Sequence, residues 1–203
     1  MNEPLFAVRP AVEADIPAVG AINGYYVLNT VTTFRFTLAT NQELLEDFRN
    51  ITKEGLPYLV ATEKASNTIV GYCYTARFRP AKRGYRPTVE LSIFCSHQHL
   101  SQGIGSLLLT ELLRIFKEPE KYPNICLKQE PDDPGVRSIV ACMALDETGP
   151  SGGLALKRFY EQFGFEQVAH LKAVGFKFNR WYAFESRCRI RQHGIQADGK
   201  VKG

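Results

Sequence analysis

The chain has 203 residues, 44% of them hydrophobic and 23% charged, the size and mix of one globular domain and not of a disordered chain or a stapled mini-scaffold. A net charge of +4 suits an anionic small ligand and falls short of a nucleic-acid footprint. No apolar run nears the ~20 residues of a membrane span, MNEPLFAVRP lacks signal-peptide order, and five scattered cysteines read as free thiols, so a cytoplasmic protein without membrane or nucleic-acid partners is expected.

In chain order, Leu5–Val8 reads as a strand. A helix follows, with Asp15 as N-cap, Pro17 in its first turn and Ile16, Val19, Ile22 and Tyr26 at helical spacing. After the polar stretch Asn29–Thr33, the pair Thr40 and Glu43 forms a capping box that opens a second helix ending near Gly55. Pro57–Glu63 and Thr68–Phe78 read as a hairpin joined by Lys64–Asn67. A basic loop, Arg79–Pro87, leads into the strand Thr88–Cys95. Ile104, Leu108, Leu112 and Ile115 then give one apolar face to a helix over Gly103–Lys117. Four prolines keep Glu118–Gly135 from being helical, with a short strand expected at Ile125–Leu127. Val136–Leu145 reads as a strand and Leu154–Phe163 as a helix closed by Gly164. Two strands, Phe165–Val174 and Phe176–Ile190, finish a single domain over 1–190. Residues 191–203 read as a solvated basic tail, within a wider cluster that includes Arg180, Arg187, Arg189 and Arg191. The order predicts an α/β fold: a mixed, mostly antiparallel central sheet flanked by helices.

The chemistry concentrates between Val89 and Phe116. A strand ends at Cys95, and a loop carrying Ser101, Gln102, Gly103, Ile104, Gly105 and Ser106 opens the strongest helix. Glycines at a helix mouth let N–H groups approach a ligand, and the helix terminus adds positive potential, so phosphate is the natural guest. No Lys follows Gly105, which excludes a P-loop, and Leu108 occupies the third glycine position of a dinucleotide fingerprint. At Gly103 and Gly105 the loop resembles a third pattern, [QR]xxGx[GA], the pyrophosphate loop of GNAT acyltransferases, with Leu100 in place of the first Gln or Arg. A plain glycine-containing turn fits the same residues.

Other stretches resemble the phosphinothricin acetyltransferase-like branch of that superfamily. They include Val8 to Ala11 with Ala14 to Ile16, Tyr25-Tyr26, Thr30 to Phe34, Arg83 to Tyr85, Thr88 to Glu90, His99 to Ser106, Phe159 to Phe165 and Gly175 to Trp181. The resemblance spans about residues 5–190 in the family's order and implies a GNAT-like fold, acetyl-CoA as cosubstrate, a small amine as acceptor and a homodimer. Six aromatics in the closing strands (Phe165, Phe176, Phe178, Trp181, Tyr182, Phe184) also suit a dimer, or simply a well-packed sheet face. The chain departs from the family at Leu100, in the long 118–135 loop, and at Asp146 with its inserted 147–153.

A protonated amine must lose a proton before it attacks a thioester, so a base is required. On residues alone Glu90 is an exposed strand carboxylate or that base; the resemblance implies the base. Ile93, Phe94 and Cys95 are expected to pair with the pantetheine arm, and Ser101–Ser106 to hold the pyrophosphate. Tyr160 is implied as proton donor to the leaving thiolate, and a half-buried core tyrosine fits equally. Asp146 stands where the family tends to place an asparagine contacting pantetheine, but a carboxylate lacks the amide's donor. Thr33, Phe34, Arg83, Tyr85, Lys177 and Trp181 are candidates for the acceptor pocket, where basic groups suit a carboxylate or phosphinate. His97 and His99 lack a third ligand, so no metal is expected. Two alternatives stay open: acetylation of protein amines, and a catalytically silent CoA-binding module.

Overall fold

One seven-stranded sheet organises the chain, seen in a computed structural model that describes residues 4–126, 135–146 and 154–190. Its strands are β1 (Phe6–Pro10), β2 (Tyr58–Glu63), β3 (Ile69–Arg77), β4 (Thr88–Cys95), β5 (Ser138–Leu145), β6 (Glu166–Lys177) and β7 (Arg180–Ile190). The spatial order is β1-β2-β3-β4-β5-β7-β6. Every pairing is antiparallel except β4 with β5, the mixed and mostly antiparallel sheet expected. The helices are α1 (Ile16–Asn29), α2 (Asn41–Lys53), α3 (Ile104–Lys117) and α4 (Leu154–Gln162).

Alternation along β3 assigns the helices to faces. Gly71 and Cys73 look toward α3: a Cβ on Gly71 would come within 2.9 Å of Ile104, and the Cys73 thiol lies 3.9 Å from the Leu108 carbonyl. Tyr72 looks the other way, where Asn23 of α1 donates to its hydroxyl at 3.1 Å. Ile104, Leu108, Leu112 and Ile115 are all at most 2% exposed, as their spacing predicts. Each such side chain contributes about 1.5–3 kcal/mol relative to exposure. The capping box closes as read, with Glu43 N–H on Thr40 Oγ1 and Thr40 N–H on Glu43 Oε2. Gly164 (φ +73°) ends α4 with paired bonds, Gly164 N–H to Glu161 O and Phe165 N–H to Tyr160 O.

Several expectations are corrected. The first strand is Phe6–Pro10, not Leu5–Val8, because it pairs along β2 as far as Leu59. Asp15 stands at the N-cap of α1 as read, but its side chain makes no capping bond: the carboxylate takes Arg9 at 2.7 and 2.8 Å and the Val12 N–H at 2.8 Å. Ile125 and Cys126 lie in turns bonded back to Tyr122 O and not in a strand, and Leu127 is outside the described residues. Gly175 does not divide the last two strands. It lies within β6, and the chain turns at Phe178 and Asn179, both left-handed (φ 48° and 59°). Arg187 is not solvated: at 1% exposure it is held between Glu161 and Glu185. The 147–153 insertion, the 127–134 part of the proline-rich loop and the 191–203 tail lie outside the described residues.

Candidate active site

β4 is the spine of the site. Val89 and Leu91 are buried toward α3, while Glu90, Ser92 and Phe94 point to the opposite face. There they meet an aromatic floor in which Tyr72 stacks on Phe94 (5.2 Å) and on Tyr74 (6.3 Å), and Tyr74 stacks on Tyr58 (5.0 Å). Ser92 hydrogen-bonds Tyr74. Glu90 is half-buried, and burial holds its carboxyl above the ordinary carboxylate value. That places it closer to neutrality than a surface glutamate, which is where a general base is effective.

The parallel pairing of β4 with β5 runs from Thr88–Ser138 to Leu91–Ala141 and stops. β5 continues to Leu145 along β7 instead, so the two strands diverge beyond Leu91. Phe78 N–H on Thr88 O and Ser96 N–H on Val70 O fix the phase of the β3–β4 ladder. The even residues therefore spend their backbone groups on β3, and Ile93 and Cys95 turn theirs toward the divergence. Tyr26 of α1 donates to the Cys95 carbonyl at 2.6 Å, and burial pushes its phenol up to about 12. The expected Ile93–Cys95 edge thus narrows to the N–H and C=O of Ile93 and the N–H of Cys95. Phe94 presents its ring to this face, its backbone being paired with Tyr72 on β3. The sequence offers Tyr25-Tyr26 as helix residues and as part of the family resemblance, but not their contacts here: Tyr26 with the Cys95 carbonyl, and the Tyr25 ring stacked on His97 at 3.9 Å.

At the mouth of α3, Ser101 and Gly103 are both left-handed (φ 60° and 80°). Such a backbone is at home in glycine and strained elsewhere. The first bond of the helix is Leu107 N–H to Gly103 O, which leaves the N–H groups of Ile104, Gly105 and Ser106 directed out of the helix end. A Cβ on Gly103 would meet open space; one on Gly105 would rest 3.6 Å from Cys95 Sγ and from Phe159. Opposite β4, Asp146 is half-buried just past the end of β5. Tyr160 of α4 is 3% exposed, packed on Phe159 and Phe165, and burial holds its phenol well above the usual value. Burial also pushes the Cys95 thiol up to about 11, which favours the protonated form at neutral pH.

The acceptor candidates fall into two groups. Thr33, Phe34 and Lys177 come together: Lys177 donates to the Thr30 and Thr33 carbonyls, and the Phe34 ring lies against Gly175 and near Tyr182. Trp181 is on the same hairpin, 65% exposed, with its ring against Phe176. Arg83 and Tyr85 group elsewhere. Arg83 shares a small cleft with Glu54, Arg77 and Arg86, while Tyr85 packs edge-on to Phe78 beneath Arg79. Among the described residues no group of three or more His, Cys, Asp or Glu is arranged to hold a metal ion.

The residues thus offer a half-buried carboxylate beside a strand divergence and, on the other side of β4, a glycine-bearing helix mouth with outward N–H groups. Residues 8–184 match the acetyltransferase (GNAT) domain model, and the chain belongs to this family. It is 31% identical over 175 residues to phosphinothricin N-acetyltransferase of Alcaligenes faecalis, covering 86% of this chain and 77% of that one. The solved GNAT superfamily phosphinothricin acetyltransferase of Sinorhizobium meliloti, in complex with AcCoA, superposes with a TM-score of 0.75. It is 30% identical, over 92% of this chain and 89% of that one. A structure described as ribosomal-protein-alanine N-acetyltransferase of Brucella melitensis gives a TM-score of 0.75 at 30% identity, over 91% of this chain and 99% of that one.

Proposed function

We propose that this chain moves an acetyl group from acetyl-CoA directly to the amine of a small acceptor, an amino acid or a phosphinothricin-like compound. One observation carries the reading: β4 leaves β5 just past Glu90, opening an edge beside a half-buried carboxylate. Ile93 and the Cys95 N–H pair with the pantetheine arm as an added strand, and the outward N–H groups of Ile104 to Ser106 receive the pyrophosphate. Asp146 lies across the opening. Glu90 takes the ammonium proton, which frees the nitrogen lone pair for the thioester carbonyl. The C–N bond forms as C–S breaks. Tyr160, protonated throughout the neutral range, is the donor for the leaving sulfur, and it recovers a proton as the acylated nitrogen gives up its second one. Thr33, Phe34, Lys177 and Trp181 shape the acceptor side; Arg83 and Tyr85, grouped apart from them, are given no part in it.

The likeness to phosphinothricin acetyltransferases supports acetyl-CoA and the small acceptor. The likeness to the Brucella protein favours a second reading, acetylation of a protein amine. Incubation with acetyl-CoA and a panel of amino acids, phosphinothricin and N-terminal peptides separates them, with thiol release as the signal. Release with free amines and not peptides is expected. Turnover of peptides alone selects the second reading, and acetyl-CoA binding without turnover selects a silent module.

The same reading includes a homodimer and a cytoplasmic location. β6 forms an edge of the sheet with Val168, Leu171, Val174 and Phe176 exposed, an apolar strand that a second copy would cover. Light scattering at micromolar concentration should give twice the chain mass; a monomer mass rejects the dimer. No described helix is long and apolar enough to cross a membrane.

A further inference from the structure

Lys177 is 2% exposed at the end of β6, an unusual place for an ammonium group. Its Nζ donates to Thr30 O at 2.8 Å and Thr33 O at 2.7 Å, and lies 5.0 Å from the centre of the Phe178 ring. Thr30 is the residue that ends α1, its N–H and hydroxyl both bonded to Tyr26 O. The cation therefore sits at the C-terminus of α1, where exposed carbonyls and the helix dipole favour positive charge. The loop is fixed a second time a few residues on. The Phe34 ring covers Gly175 so closely that a Cβ there would collide with it, and the ring centre is 6.4 Å from Tyr182. Burying a lysine costs desolvation free energy that a methionine of similar length would not incur. Its two carbonyl contacts are with residues 147 and 144 positions away, so what the buried charge achieves is the placement of one loop on one hairpin.

We propose that Lys177 is a positioning residue for the acceptor, holding the 30–34 loop against the β6–β7 hairpin, and that it does not itself bind the acceptor's anion. The proposal rests on the acetyltransferase reading and replaces direct contact by Lys177 with control of Thr33 and Phe34. A lysine that binds the anion and a lysine that places a loop differ in one respect. The first matters only for acceptors that carry a carboxylate or phosphinate, while the second matters for every acceptor the loop touches.

The test uses Lys177→Met, which keeps the stem and removes the donors, with an amino acid and a carboxylate-free amine as acceptors. Expected is a rise in acceptor KM of about tenfold for both, the scale of losing buried hydrogen bonds. The values of kcat and acetyl-CoA KM should stay within about twofold, and amide exchange over 30–36 should accelerate. Gly175→Ala drives the Phe34 ring off the hairpin without touching Lys177, and should give the same acceptor effect if Lys177→Met does not fold. An unchanged acceptor KM overturns the proposal, as does a rise confined to the anionic acceptor or an equal rise in acetyl-CoA KM. If the wild-type chain acetylates no amine, the functional reading fails, and exchange alone decides. Unaltered exchange over 30–36 in Lys177→Met then overturns the clamp.

Discussion

The two faces of β4 do different jobs with the same eight residues. Val89 and Leu91, 0% and 3% exposed, fill the space under α3. Glu90, Ser92 and Phe94 are only partly buried, among tyrosines. Alternation thus lets one strand hold the core together with every second side chain and leave the others for chemistry. A functional carboxylate can be held to fractions of an ångström by neighbours that never touch a substrate.

The largest test of this division is Glu90→Gln. Turnover should fall by about 10²–10⁴ at neutral pH with acetyl-CoA affinity unchanged, the loss shrinking as pH approaches the amine's own pKa. Equal loss at all pH values, read from pH–rate profiles, would make Glu90 structural. On the other face, Leu91→Ala should lower unfolding free energy by about 2–5 kcal/mol in denaturant titration, with the remaining folded protein keeping its specific activity. Lost activity without lost stability would erase the contrast between the faces. Gly103→Val forces a β-branched residue into φ +80° at the helix mouth. Acetyl-CoA should bind at least about tenfold more weakly by calorimetry, without rescue at high pH. Tyr26→Phe should cost about 0.5–1.5 kcal/mol of stability, read as a shift of a few degrees in melting. The smallest effect concerns Glu90 again. Burial raises its pKa, so the folded chain binds this proton more tightly than the unfolded chain. Stability therefore falls as pH climbs from the unfolded value through the raised one. Glu90→Gln removes that penalty and should melt no lower than wild type at pH 7, and lose the advantage at acid pH.

Local chemistry made much of this legible. The 4-4-3 spacing of Ile104, Leu108, Leu112 and Ile115, the capping box at Thr40 and the glycine after α4 are short-range signals, and the structure contains each. The period-two alternation of a strand puts Glu90 opposite Leu91, and β4 keeps that alternation. Long-range partners were not legible. Gly175 reads as a break because glycines usually punctuate strands, and only the fold reveals the Phe34 ring that requires it. Arg187 reads as part of a basic tail because its partner Glu161 is on another element. Lys177 suggests an anion site by its charge, yet its contacts are carbonyls at the far end of α1. The β4–β5 divergence follows from where Ala141 ends its pairing, which the residues of β4 do not encode.

That divergence also bears on how such an enzyme would respond to its surroundings. In the role proposed for them, the main-chain groups of Ile93 and Cys95 would be blind to what hangs on the sulfur of a pantetheine arm. The spent carrier presents the same arm and the same pyrophosphate as the loaded one, and such uniform binding cannot tell them apart. Free CoA should then compete with acetyl-CoA at similar affinity, making the flux follow the ratio of the two pools and not the amount of either. A cell short of acetyl groups would slow this reaction with no regulatory site at all.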